Sequence, residues 1–402
     1  MRLSVYRLTL PALSLILTAC GGGGGGGNFG AEPPATAAVV ATRAPDFSSG
    51  AVSLVDFEAP FEAQNNLPPN GSSDILVRSG GDHYFVIERF NANRVQRFAV
   101  SDPSTPVYQN GGYSTQDADD TTQSNPADLV ILSPTKAYLL RYGSDVLWIV
   151  NPSATTEAAF KIGEIDLSHY DTADNVPEMT AGLIQDGLLY VLLQRLENFS
   201  AVKSGYVAVI DTINDEEIDT DSVSGNLPGI ELPVRNPSGI AANPGNDDLI
   251  VLAAGGGEFV PPDFDFVSAF DGGIVRIDTG AFSSELLVDD GSPGAAPFGQ
   301  LTELAVVAAD RAYFYGTEDF ASETLFRFDP TSSAAPVAVS VAQDVRLSAL
   351  SADAQGRLWL GRAELETPGL TVLGFADGTE TVIEDRIDTV LTPINIDFVS
   401  AP

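Results

Sequence analysis

Carboxylates are the only chemistry-bearing side chains this chain has in quantity: 55 Asp and Glu stand against 20 Lys and Arg, two histidines and one cysteine. Grouped carboxylates suit calcium, and Asp117, Asp119 and Asp120 offer oxygens for it. That group lacks the Asp-x-Asp-x-Asp-Gly spacing with a distant Glu, so it reads as a solvated acidic loop. The runs Asp215-Glu216-Glu217 and Asp219-Thr220-Asp221 read the same way, and Asp289-Asp290-Gly291 reads as a turn. Nucleophilic catalysis finds no support. There is no Gly-x-Ser-x-Gly, and neither His83 nor His169 has an acid or base paired with it in the sequence. Asn70-Gly71-Ser72 and Asn198-Phe199-Ser200 match the glycosylation triplet, which carries no chemistry of its own.

The net charge of −35 argues against nucleic acid and against an anionic lipid surface, since both need a cationic face. It favours a soluble monomer that repels itself. One cysteine allows no intrachain disulfide and no zinc site built on several thiolates. No Cys-x-x-Cys-His occurs, so no c-type haem is attached.

The lone cysteine instead belongs to an address. Arg2 and Arg7 precede a run of about ten mostly apolar residues, 8–17, where a membrane span needs about twenty. The ending Leu17-Thr18-Ala19-Cys20 resembles the bacterial lipobox. The resemblance implies a signal peptide, residues 1–19, cut before Cys20, and acylation of Cys20 itself. Two or three acyl chains, each contributing about 0.8 kcal/mol per buried CH₂, hold a protein firmly on a bilayer. Gly21 in place of aspartate implies an outer-membrane lipid anchor, on the periplasmic side or at the cell surface. Residues 20–36, with seven glycines from Gly21 to Gly27, read as a flexible tether.

From residue 37 to 402 the chain shows short β-rich runs bounded by Gly, Pro, Asn and Asp, and no helical apolar period. One strand recurs seven times, ending at Asp56, Asp102, Asn151, Asp211, Asp278, Asp329 and Asp377. Its spacings are 46, 49, 60, 67, 51 and 48 residues. The Asp or Asn suits a hairpin turn, because its side chain caps backbone amides just beyond it. Apolar strands precede each copy and a weaker one follows. Four antiparallel strands per unit, seven times over, predict an all-β seven-bladed β-propeller. The run 394–399 predicts ring closure: it supplies the inner strand of a blade whose other strands come from residues 37–66. Trp148 and Trp359 are expected in the core.

Two segments carry a resemblance. Asn236-Pro237-Ser238-Gly239-Ile240-Ala241-Ala242-Asn243-Pro244-Gly245 with Asp248-Leu249-Ile250-Val251-Leu252, and 205–211, resemble repeats of YVTN/NHL-type bacterial propellers. The resemblance speaks for fold more than function.

Loop lengths supply the functional expectation. Counting strands from the channel outward, the loops joining strands one to two and three to four are short. Those joining two to three, and those between blades, are often long, and both long sets emerge on one face. The richest is 255–273, with Glu258, Phe259, Asp263, Phe264, Asp265 and Phe266 interleaving aromatics and carboxylates. These residues are the expected contacts to a protein or polymer partner. The chain therefore reads as a non-catalytic binding or scaffold module requiring no cofactor. The alternative is a divalent-metal-dependent hydrolase or lactonase, with calcium held in the central channel by inner-strand carboxylates such as Asp74, Asp128, Glu303 and Asp397.

Overall fold

The computed structural model describes residues 34–400 apart from 70, 119, 121, 172, 222, 224, 261–264, 319 and 320. The signal, Cys20 and nearly all of the tether lie outside the described residues.

Seven four-stranded antiparallel blades form the body. Blade one is built as the sequence predicts: the C-terminal Thr392–Val399 is its inner strand, followed outward by Ala37–Arg43, Gly50–Asp56 and Ala63–Leu67. The inner strands of blades two to seven are Ile75–Gly80, Pro126–Ser133, Met179–Gln185, Pro237–Ala242, Gln300–Ala308 and Leu347–Ala352. Among the described residues the core divides into seven apolar clusters, and each spans two neighbouring blades. Blade-on-blade packing is therefore what buries apolar area, and the ring has no open side. All seven clusters draw on residues 35–398, so the body carries its own core. Trp359 is fully buried between blades seven and one, and Trp148 between blades two and three, as expected of core residues.

The Asp-ended turns behave as their chemistry requires. Asn151, Asp211, Asp278 and Asp329 each accept a bond from the amide two residues on, at 2.8–3.0 Å. Two expectations fail: in blade two the tracked strand stops at Ala99 and Asp102 opens the outermost strand, Asp102–Pro106, and in blade three a loop expected to be short is long. This blade-three loop, from strand three to four, runs from 151 to 160 and holds a 3₁₀ turn, Glu157–Ala159. The reason is Phe160, which leaves the sheet to pack on Tyr108 and Tyr113 between blades two and three. The outermost strand accordingly starts late, at Lys161–Asp166.

The chain enters on the short-loop face. Thr36 donates its amide to the Val399 carbonyl at 2.9 Å, and its own carbonyl accepts from Phe57 in a strand three-to-four loop. Ser400 bonds Gly81, in the short loop of blade two. No helix among the described residues is long and apolar enough to cross a membrane.

Candidate functional site

Two places were candidates, the channel and the long-loop face. In the channel, three of the four carboxylates picked from the sequence are employed in joining blades. Asp397 accepts from the Ser79 amide of blade two at 2.7 Å, and Asn395 beside it from Val77 at 2.8 Å. Asp128 of blade three takes the Nε of Arg78, from blade two, at 2.6 Å and the Gly182 amide of blade four at 3.0 Å. Gly182 must be glycine for this approach: a Cβ there would lie 2.8 Å from Val130. Glu303 reaches the Leu350 amide of blade seven. Hydroxyls continue the stitching, Thr180 to the Pro237 carbonyl and Ser348 to Pro393. Asp74 stands apart, beside Arg89 and the Phe90 amide.

The electrostatics follow from this geometry. Burial opposes the charge on Arg78, yet Asp128, Asp397 and Glu303 outweigh it and hold the guanidinium pKa above its ordinary value. Burial raises Asp397, with Arg78 and the Ser79 and Phe398 amides pulling the other way. Glu303 has a left-handed backbone, φ +50°, at a bulge in its inner strand, and opens to the lumen. Desolvation by the surrounding protein pushes its pKa up to about 7 against the pull of Leu350 and Arg78.

A divalent ion does not fit this donor set. The cation between the carboxylates is already Arg78, and freeing Asp128 for a metal would strip Arg78 and the Gly182 amide of their partner. The free space beside Arg78, Asp128, Gly182 and Asp397 is about 30 Å³, room for one water. Among the described residues, no group of three His, Cys, Asp or Glu is placed to hold a metal ion.

The acidic loops are also more occupied than the sequence suggests. Asp117 pairs with Lys161, and Asp120 with the buried Arg141. Asp215 holds Lys136 at 2.8 Å and the Tyr138 hydroxyl at 2.6 Å. Glu217 takes the Tyr170 hydroxyl at 2.6 Å and faces His169 at 3.0 Å. The expectation of solvated runs is thus corrected at these positions: a chain poor in cations draws its few lysines and arginines to carboxylates. Asp289 is the expected turn residue, accepting from Gly291 at 2.8 Å.

The long-loop face is different in kind. Its strand two-to-three loops put Phe47, Phe90, Phe199, Val267 and Leu365 into solvent on five blades. In the loops of the opposite face Ile213 is the only large apolar residue so exposed among the described residues. Blades four and five carry the longest of these loops, side by side. In blade four, residues 194–205 are fixed at their base. Glu178, preceding the inner strand with φ +48°, accepts from the Leu196 amide at 2.8 Å. Arg195 donates to the Tyr170 and Ser204 carbonyls and lies 4.7 Å over the Tyr206 ring. Lys203 bridges the buried Asp171 and Glu197 at 3.0 and 2.8 Å.

The tip of this loop is a tight turn. Glu197 and Ser200 exchange both backbone bonds at 3.0 Å, and Asn198 and Phe199 between them have φ of +50° and +64°. Two left-handed residues in a row make a type I′ turn, which prefers Asn-Gly. Phenylalanine in the glycine place costs about 1 kcal/mol, and the residue is 94% exposed. Such a backbone persists only where the surrounding structure holds it, here the paired Glu197 and Ser200.

In blade five, Gly257–Val260 and Asp265–Ser268 pair as a two-stranded ribbon outside the blade sheet. Its register sets Glu258 opposite Val267, Phe259 opposite Phe266 and Val260 opposite Asp265. Glu258 and Val267 are both exposed. Asp263 and Phe264 lie outside the described residues. The ribbon base abuts the blade-four loop: a Cβ on Gly256 would come within 3.0 Å of the Ala201 carbonyl. Arg78 and Phe199 are the residues that sequence reasoning missed. An arginine inside the apolar inner strand was the available signal for the first, and an Asn followed by a residue in the glycine place of a turn for the second.

No protein-family model matches the chain, nor does any curated protein. Solved structures do. A Bacteroides fragilis protein provisionally assigned as a 6-phosphogluconolactonase superposes with a TM-score of 0.58 at 11% identity, covering 90% of this chain and 98% of its own. A Lactobacillus plantarum protein gives 0.59 at 9% identity, with 90% and 99% covered. Virginiamycin B lyase from Staphylococcus aureus gives 0.50 at 13% identity, with 81% and 92% covered. Identities this low establish the propeller fold and nothing about activity.

Proposed function

We propose that this chain is an outer-membrane lipoprotein whose propeller binds a protein or polymer partner through its long-loop face. The observation that carries the reading is the exposed Phe199, held in a strained turn on the face opposite chain entry. Acylated Cys20 and a tether of about sixteen residues, roughly 20–24 Å as a coil, would keep the short-loop face toward the bilayer. The long-loop face then points away from the lipid, free for a partner. The carboxylates Asp128 and Asp397 of the channel, engaged by Arg78 and by backbone amides of neighbouring blades, support a structural role there and leave the loop face as the place for a partner.

The test is to express the full chain in a Gram-negative host with Phe199 replaced by a photo-crosslinking residue, and separately to substitute Cys20→Ser. The expected outcome is acyl labelling and membrane retention that depend on Cys20, and a discrete crosslinked adduct from position 199 but none from Ile213. Unlabelled, soluble protein from the unsubstituted chain would sink the anchor, and equal crosslinking from both positions would sink the loop face.

A further inference from the structure

We infer that the sector formed by blades four and five takes a cationic, amphipathic segment of a partner protein, a deepening of the loop-face reading above and dependent on it. Apolar side chains here stand in a negative field. Phe199, Val202 and Val267 are exposed on two abutting loops. Glu258 faces solvent on the same side of the ribbon as Val267, its directly opposed neighbour. Asp221 caps the Val223 amide at 2.8 Å and takes Asn226 at 2.7 Å, two bonds that leave its charge intact, and Val223 is itself exposed.

The cations of the sector are already used. Lys203 lies between Asp171 and Glu197, Arg235 is 2.9 Å from Asp271, and Arg195 is half-buried over Tyr206 with two carbonyl acceptors. What remains for a visitor is apolar contact ringed by carboxylate, and the complement is an apolar stripe ringed by lysine or arginine. The other occupants fit worse. A second copy would bring like charge against like charge on a chain of net charge −35. On the anchored reading above, a bilayer would lie on the opposite face, where the chain enters, and anionic lipid would be repelled.

The probe is a fluorescein-labelled 20-residue peptide of leucine and lysine, with leucine at helical spacing, titrated by anisotropy against residues 34–402. A second peptide has every leucine replaced by serine at the same charge. Binding of the first at micromolar concentration, weakened about tenfold by 0.3 M NaCl, is expected. The triple variant Phe199→Ser, Val202→Ser, Val267→Ser should lose about tenfold in affinity, and Glu258→Gln with Asp221→Asn should flatten the salt dependence. Equal binding of the two peptides, or an unaffected triple variant, overturns the inference, because charge alone would then explain the binding. So would association with zwitterionic lipid vesicles that the triple variant abolishes, or a dimer in sedimentation that it dissolves. If position 199 still gives its discrete crosslink while the peptide fails, only the partner chemistry falls. If neither works, the loop-face reading falls with it.

Discussion

The channel and the blade-four loop treat their costly residues in opposite ways. In the channel, carboxylates that ought to be reactive are buried and fully committed: Asp128 and Asp397 each join two blades through an acceptor oxygen. In the loop, a phenylalanine that ought to be buried is held outside, on a backbone that disfavours it. The first arrangement turns polar groups into fold stability. The second gives up stability for an exposed ring, which is the pattern expected where function and folding disagree.

That contrast breaks most readily at Asp128. Asp128→Ala leaves Arg78 and the Gly182 amide without their acceptor, and a loss of about 3 kcal/mol is expected in urea unfolding. A loss under about 1 kcal/mol would mean that these inter-blade bonds in the channel add little to stability. The converse change is Phe199→Gly. It should raise stability by about 0.5–1 kcal/mol, since glycine relieves the left-handed strain while losing more entropy on folding. Partner or peptide binding should fall in the same variant. A stabilised variant that still binds would refute the trade.

The pH dependence is subtler. Glu303 has an unfolded pKa near 4.5 and a folded one of about 7, raised mainly by desolvation. Between those values the native state holds more protons than the unfolded chain, so stability falls as pH rises through this window and stays reduced above it. Glu178, also raised to about 7 by burial, acts in the same direction. Glu303→Gln should therefore raise the urea midpoint at pH 8 and leave it unchanged below pH 4.5. Equal gains at both pH values would mean the substitution acts through packing. The smallest expected effect is that of divalent ions. With Arg78 as the resident cation, calcium or EDTA should move the Tm by no more than about 1 °C at constant ionic strength, whereas a bound ion at saturation would shift it by several degrees.

Much of the architecture was legible because it is written locally. Asp211, Asp278 and Asp329 cap amides two residues away, so the turns that end those strands are visible in a window of five residues. Repeating that window seven times gave the blade count, and the unpaired run 394–399 gave the closing blade. The candidate site was legible only in outline. Loop lengths singled out the face that carries the exposed phenylalanines and the 255–273 segment, and Glu258 does stand exposed there. Asn198-Phe199-Ser200 passed as a glycosylation triplet, because nothing in three residues says that Glu197 and Ser200 will close a left-handed turn.

The sequence by itself determined the period, the turn chemistry and the acidic surface, since strand propensity, Asp capping and net charge act over a few residues or none at all. Tertiary structure alone decided which carboxylates are spent in the channel and which stay free on the loops. Asp128 meets Gly182 across 54 residues because consecutive blades pack face to face, and Asp397 meets Ser79 across 318 because the ring closes.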